Sequence, residues 1–207
     1  MDLLDCLPGI IPGGVSEEDF AAATKAGRAD AARMLRALER AGIGRDAGDA
    51  FEFTEGDRLR AVMAALGQGA PVEEAAELIH WRDFEGLTAE ILAENGFATM
   101  RNLMLKKPRM EIDVVGIRLG IALLIDCKHW RRTGAAALRK VVQKQIGRTK
   151  HYVASTGGAV AVPVLVTLHS EGIQMIDGAP VVPISAFQSF IDEFYGNLDS
   201  MRQVRAG

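Results

Sequence analysis

Apolar residues recur at helical spacing through the first 66 positions, with one short alternating run among them. Ser16-Glu17-Glu18-Asp19 has the form of a helix start: Ser16 can cap the free N–H groups, and Asp19 stands at the third helical position. Gly27 is expected to end that helix. A second helix is predicted over residues 29–41, with Ala31, Leu35 and Leu38 on one face and Gly42 closing it. Residues 50–54 alternate as a short strand after a turn at 46–49, and 56–66 return to helical spacing. Gly67-Gln68-Gly69-Ala70-Pro71 breaks the pattern, and 72–80 reads as a short helix bridging two halves.

From Trp81 onwards helices and strands are mixed. A helix over 81–96 carries Phe84, Leu87, Ile91 and Leu92 as its apolar stripe and stops at Asn95-Gly96. A strand follows over 97–106, then two more around 111–116 and 121–128. Residues 134–154 form a long helix with Leu138, Val142 and Ile146 inward. Residues 159–168 are almost continuously apolar, as in a strand covered on both faces. Short strands at 172–176 and 180–182 precede a last helix, capped by Ser185 and running to Tyr195. This order predicts an α/β fold: a mixed β-sheet flanked by helices over 81–207, preceded by a small helical domain over 1–68 and a linker helix over 69–80.

The strands around 111–116 and 121–128 hold polar residues where an apolar run would be expected to continue. Asp113 lies inside one, and Asp126 and Lys128 end the other. Residues two apart on a strand face the same way, so Asp126 and Lys128 share a side and Cys127 takes the other. If the two strands pair as a hairpin, Asp113 and Asp126 meet at one sheet edge. Carboxylates and an ammonium at the rim of an apolar sheet are costly to bury without partners, and a divalent cation between the acids would be one.

Composition narrows the setting. The 207 residues suit one large or two small domains, and 48% hydrophobic with 25% charged residues is the balance of a soluble globular chain. No apolar run nears the roughly 20 residues a membrane helix needs. The N-terminus lacks a signal peptide's basic region. Cys6 and Cys127 form no disulfide framework, which points to a reducing cytoplasm, and no Cys/His cluster has zinc spacing.

A net charge of −3 argues against a nucleic-acid partner, but the charge is unevenly spread. Residues 99–151 hold 13 Lys and Arg against only Glu111, Asp113 and Asp126, a balance of +10, while the rest of the chain stands at −13. A basic field around an acidic centre suits a polyanion held against a cation. Lys106, Lys107, Arg131, Arg132, Lys144, Arg148 and Lys150 are the candidate contacts in that field.

Two resemblances sharpen this picture. The stretches RMLRALERAGI and FEFTEGDRLRAVMAAL resemble a winged helix-turn-helix unit over about a third of the chain. In that family the second helix enters the major groove, and Arg33, Arg36 and Arg40 share one helix face here. Residues 1–98, however, hold nine bases against 19 acids, so dimerisation or protein docking is as fitting a role for this unit as base readout.

The second resemblance covers 81–195. FEGLTAEILAENGF, EIDVVG, LLIDCKHW and VVPISAFQSF, in that order, resemble the PD-(D/E)xK nuclease superfamily, with its restriction-endonuclease-like fold. Within it, the match is to Mrr-type restriction enzymes and archaeal Holliday-junction resolvases. The resemblance puts Glu85 at the family's helix acid, Asp113 at the first strand acid, and Asp126 with Lys128 at the (D/E)xK pair. The family often has proline before the first acid; Ile112 stands here, at a position that is not a ligand. Some relatives place a glutamine on the following helix, where Gln143 and Gln145 are both available, Gln145 being preferred.

The resemblance implies metal-dependent hydrolysis of DNA phosphodiesters. Asp113 and Asp126, with Glu85 and the Cys127 carbonyl, would bind Mg²⁺ or Mn²⁺. Lys128 would orient the attacking water or offset charge. Two cuts in a duplex or junction imply a homodimer. The rival reading is a non-catalytic DNA-binding or regulatory protein on a nuclease-like scaffold.

Overall fold

The computed structural model describes residues 2–130, 134–157, 159–170 and 172–206, and divides into two compact units, Met1–Asp83 and Phe84–Gly207. Arg131 and Arg132 lie outside the described residues.

In the first unit a 3₁₀ helix, Leu3–Gly9, leads into β1 (Gly13–Val15), α1 (Glu17–Thr24), α2 (Arg28–Arg40), β2 (Arg45–Asp46), β3 (Phe51–Phe53), α3 (Asp57–Gly67) and α4 (Val72–Glu77). Ser16 caps α1 as its position predicts: its Oγ accepts the Asp19 N–H at 3.0 Å and donates to Asp19 Oδ2 at 2.7 Å. The helix ends earlier than Gly27. Lys25 takes the left-handed C-cap conformation, and Gly27 becomes the N-cap of α2.

β3 is the middle strand of an antiparallel sheet ordered β1-β3-β2. Its two rings, Phe51 and Phe53, are buried, and Phe53 stacks on Phe20 of α1 at 6.3 Å. Gly44 is built into this packing. Its φ is +69°, and a Cβ there would lie 2.5 Å from the Phe51 ring and 2.7 Å from Phe53. Gly44→Ala is therefore expected to destabilise this unit by on the order of 3 kcal/mol, from left-handed strain plus overpacking. Urea unfolding checks this, and a midpoint unchanged from wild type would contradict it.

In the second unit, α5 (Trp81–Glu94) is followed by three antiparallel strands, β4 (Ala98–Lys106), β5 (Arg109–Arg118) and β6 (Ile121–Lys128). The long helix α6 (Ala135–Thr156) then carries the chain back to β7 (Val160–Thr167), which pairs parallel to β6. A parallel neighbour requires such a crossover. β8 (Met175–Ile176) and β9 (Ala179–Pro183) follow, then α7 (Phe187–Glu193) and β10 (Val204–Arg205). The sheet order is β4-β5-β6-β7-β9-β8, with β10 also on β7. This is a mixed sheet flanked by helices, consistent with the restriction-endonuclease-like fold that the sequence predicts.

β6 and β7 are buried along almost their whole length, as their unbroken apolar runs require. Leu138, Val142 and Ile146 of α6 pack with Leu165, Ile176, Ala179 and Val181. Tyr152 and Val153, further along α6, pack with Ile112, Val115, Ala122 and Leu124. Ser185 does not cap the last helix. It sits in a 3₁₀ turn, Ile184–Ala186, and Ala186 is the N-cap.

Candidate active site

The ladder between β5 and β6 runs from Arg118↔Ile121 to Val114↔Ile125. In that register the next facing pair is Asp113 and Asp126. The ladder stops there, and Asp113 Oδ2 accepts the Cys127 N–H at 2.8 Å instead. On the other side of β5, the pairs Arg101↔Val114 and Leu103↔Ile112 skip the residue between them. That residue, Asn102, has φ +53°, a conformation Asn tolerates better than most side chains. β5 is thus released from both neighbours at Asp113. Side-chain alternation slips at the same point, since Ile112 and Val115, three apart, join one core cluster.

β6, in contrast, stays paired to its end. Asp126, Cys127 and Lys128 lie opposite Leu165, Val166 and Thr167 of β7, and the Leu168 N–H donates to the Lys128 carbonyl at 3.1 Å. One acid therefore sits where the sheet opens, and the other on a strand held firmly by its parallel neighbour.

Asp126 is 2% exposed. Its Oδ1 accepts from Arg148 Nη1 at 2.6 Å. Lys128 Nζ lies 2.7 Å from Oδ2, but off the hydrogen-bonding direction, so that buried oxygen forms an ion contact without a hydrogen bond. The same ammonium donates to the Cys127 carbonyl at 3.2 Å.

Burial, followed by the charge of Asp126, raises the Asp113 pKa. Glu85 on α5 is pushed to about 7 by burial first, then by Asp113 and Glu111, with Lys128 and Arg101 pulling the other way. Cys127 points to the α5 side, where its Sγ lies 3.6 Å from Thr88 Oγ1, and burial raises its thiol well above the ordinary range.

Residues 76–178, which contain every one of these groups, match a family model, Mrr_cat, described as restriction endonuclease. Through this segment the chain belongs to the restriction endonuclease family. It carries a nuclease-type domain. An uncharacterized protein from Archaeoglobus fulgidus is 31% identical over 121 residues, covering 56% of this chain and 93% of that protein. A crystal structure of a protein of unknown function is 26% identical with a TM-score of 0.33, over 42% of this chain and 46% of its own. A protein from Vibrio cholerae is 15% identical with a TM-score of 0.47, over 96% of this chain and 51% of its own. The chain spans about half the length of each of these two solved proteins.

Within the endonuclease domain, the acids fit a divalent cation in one specific respect. Among the described residues Asp126 Oδ2 is buried and lacks a hydrogen bond, and Asp113 and Glu85 repel neighbouring carboxylates. A bound cation would offset the repulsion among these carboxylates. Among the described residues, no three acid, His or Cys side chains converge as a ready ligand set. Asp113 and Asp126 are brought together. Glu85 is coupled to Asp113 through charge rather than joining them as a third ligand.

The glutamines separate clearly. Gln143 Nε2 bonds Asp177, whereas Gln145 is buried and its Nε2 donates to the Leu124 carbonyl at 2.7 Å. Lys106, Lys107, Lys144 and Lys150 are exposed, as are Arg33, Arg36 and Arg40 in the first unit, where Arg33 pairs with Asp30. Sequence reading did not anticipate Glu111, Arg101 or Thr88 around Glu85 and Cys127, nor that Arg148 would pair with Asp126. The spacing of Arg148, three residues beyond Gln145 on α6, was the available signal.

The raised Glu85 pKa has a definite sign for stability. The native state keeps this proton up to about pH 7, while the unfolded chain releases it near 4.5. The native state then binds more protons across that window, so the cation-free protein loses stability as pH rises through it. Asp113 acts in the same direction. Urea midpoints of the chelated protein are expected to fall between pH 5 and pH 8, and Glu85→Gln should flatten the trend. A midpoint that rises with pH in the wild type would contradict the burial of a repelled Glu85.

Proposed function

We propose that this chain is a divalent-cation-dependent endonuclease that hydrolyses DNA phosphodiesters. The observation that carries the reading is the meeting of Asp113 and Asp126 at the opened β5–β6 register, with Lys128 beside them, inside a segment matching the restriction endonuclease family.

Asp113 and Asp126 would hold the cation; Glu85, coupled to Asp113 by charge, and the Cys127 carbonyl would assist through water or after rearrangement. When bound, Mg²⁺ or Mn²⁺ makes a water easier to deprotonate and offsets charge on the phosphate. Lys128 is the partly exposed cation of the site. Its side chain is 22% exposed, so it reaches the rim while contacting buried Asp126. It would steady the attacking water or the charge opposite it. Gln145 ties α6 to β6 and acts behind the site.

The exposed bases of residues 99–151 would carry the DNA backbone. The first unit, on this reading, is a winged-helix module that docks DNA or pairs two copies. A homodimer would place two sites on two strands. Purified protein with Mg²⁺ or Mn²⁺, tested on linear duplex, single-stranded and four-way-junction DNA, decides the matter: DNA binding with no cleavage of any of the three would make this a binding protein. Lys144→Ala combined with Lys150→Ala is expected to weaken binding on every sequence and reduce the slope of log affinity against log salt by about 1–2. An unchanged slope would move the interface away from α6.

A further inference from the structure

We infer that Arg148 is a positioning residue that fixes the orientation of Asp126, through a chain of contacts that starts and ends on β6. The inference rests on the nuclease reading above. Arg148 Nη1 donates to Asp126 Oδ1 at 2.6 Å and lies 3.4 Å from Gln145 Oε1. Gln145 Nε2 donates to the Leu124 carbonyl at 2.7 Å, and Thr149 Oγ1 donates to the Gln145 carbonyl at 2.8 Å. Gln145 is 1% exposed. Leu124 and Asp126, two residues apart on β6, are thereby tied to a single turn of α6.

The consequence falls on the two oxygens of Asp126, which are not equivalent. Oδ1 is committed to the Arg148 guanidinium. Among the described residues, Oδ2 is buried without a hydrogen bond and meets the Lys128 ammonium. Arg148 thus leaves Oδ2 as the oxygen a cation could take, with Lys128 as the group that would yield. A DNA contact by the same guanidinium would require it to leave a buried carboxylate. The geometry favours the inward role over the backbone contact that its place in a basic helix suggests.

Charge and position predict opposite signs here, which makes the test decisive. Removing a positive charge beside a cation site should, by Coulomb attraction alone, tighten cation binding. Losing the group that orients a ligand weakens it, by roughly 10–100-fold in metal sites. The experiment is calorimetric titration of Mn²⁺ into the full-length wild type, Arg148→Met, Arg148→Lys and Gln145→Leu, beside duplex-DNA binding without metal.

Arg148→Met is expected to lose roughly 10–100-fold in Mn²⁺ affinity with metal-free DNA affinity largely kept. Arg148→Lys should fall between it and the wild type, because one ammonium does not reproduce the guanidinium's reach to both Asp126 and Gln145. Unchanged or tighter Mn²⁺ binding in Arg148→Met, or a loss confined to DNA affinity, overturns the inference. Should Arg148→Met fail to fold, Arg148→Lys keeps the charge and decides alone: full Mn²⁺ affinity overturns the inference, reduced affinity supports it. A wild type that binds no Mn²⁺ defeats the metal-dependent nuclease reading itself, an outcome distinct from a wild type and variants that bind alike.

Discussion

Asp126→Asn and Lys128→Ala are each expected to slow DNA cleavage by roughly 10²–10⁴-fold, the range for loss of a group acting in the transition state, while metal-free DNA binding survives. Asp126 is buried and reaches no surface that a DNA backbone could touch directly. Lys128 spends its ammonium on Asp126 and the Cys127 carbonyl, whereas the exposed lysines of α6 are free to meet phosphates. Loss of an interaction made chiefly in the transition state lowers turnover without necessarily weakening ground-state binding. Asparagine keeps the shape of Asp126 and can still accept from Arg148, so the Asp126→Asn chain should fold. Gel shift in chelator paired with timed cleavage in Mg²⁺ separates the two effects. A Lys128→Ala protein cutting at the wild-type rate would place the chemistry elsewhere in the domain.

Chelation is expected to abolish cleavage completely and reversibly while leaving the chain folded. The reason lies in the site's own cations. Arg148 and Lys128 already balance the buried carboxylate of Asp126, and the described core clusters around α6 are built from hydrophobic side chains. Such a protein differs from a zinc-finger domain, whose folding energy is its metal affinity. Returning Mg²⁺ or Mn²⁺ should restore cutting and raise the melting temperature by ligand linkage, worth about 2.7 kcal/mol at one hundred times the dissociation constant. Differential scanning calorimetry with and without EDTA checks this. Cooperative unfolding on chelation alone would mean that the cation is structural.

Much of this site was legible because sheet geometry is periodic. A hairpin lets Asp113 and Asp126 meet at one sheet edge, and the two-residue repeat puts Cys127 on the other face; in the structure the ladder ends at Val114↔Ile125, one step short of those acids, and Cys127 Sγ turns to Thr88. Periodicity could not reveal where the ladder breaks. The release of β5 at Asp113 coincides with a left-handed Asn102 across the sheet, a conformation that the strand pattern does not announce.

The inward turn of Arg148 was hidden for a similar reason. On a helix rich in Lys and Arg, its side chain reads as one more solvated base until a buried carboxylate on another element claims it. The start of the chain escaped notice because its signals are weak. A 3₁₀ helix over Leu3–Gly9 has no helical period to detect, and the Gly13–Val15 strand opens on two glycines. Ser185 reads as a cap but lies in a 3₁₀ turn, and Gly27 reads as the end of α1 but caps the start of α2, because a residue suited to one helix end can equally serve the turn or the helix beside it.

Asn102 also bears on how the sheet ends. β4 is the terminal strand of its sheet, nine residues long and largely exposed, with Met100 and Met104 turned to solvent. A strand of that kind ordinarily invites another chain to add itself and begin an aggregate. Here the left-handed residue falls at the strand's centre, so the row of free N–H and C=O groups is divided into two short runs that no straight incoming strand can match at once. The conformation found where β5 opens around Asp113 therefore also interrupts the edge that an incoming strand would use. Replacing Asn102 with a β-branched residue would endanger both together.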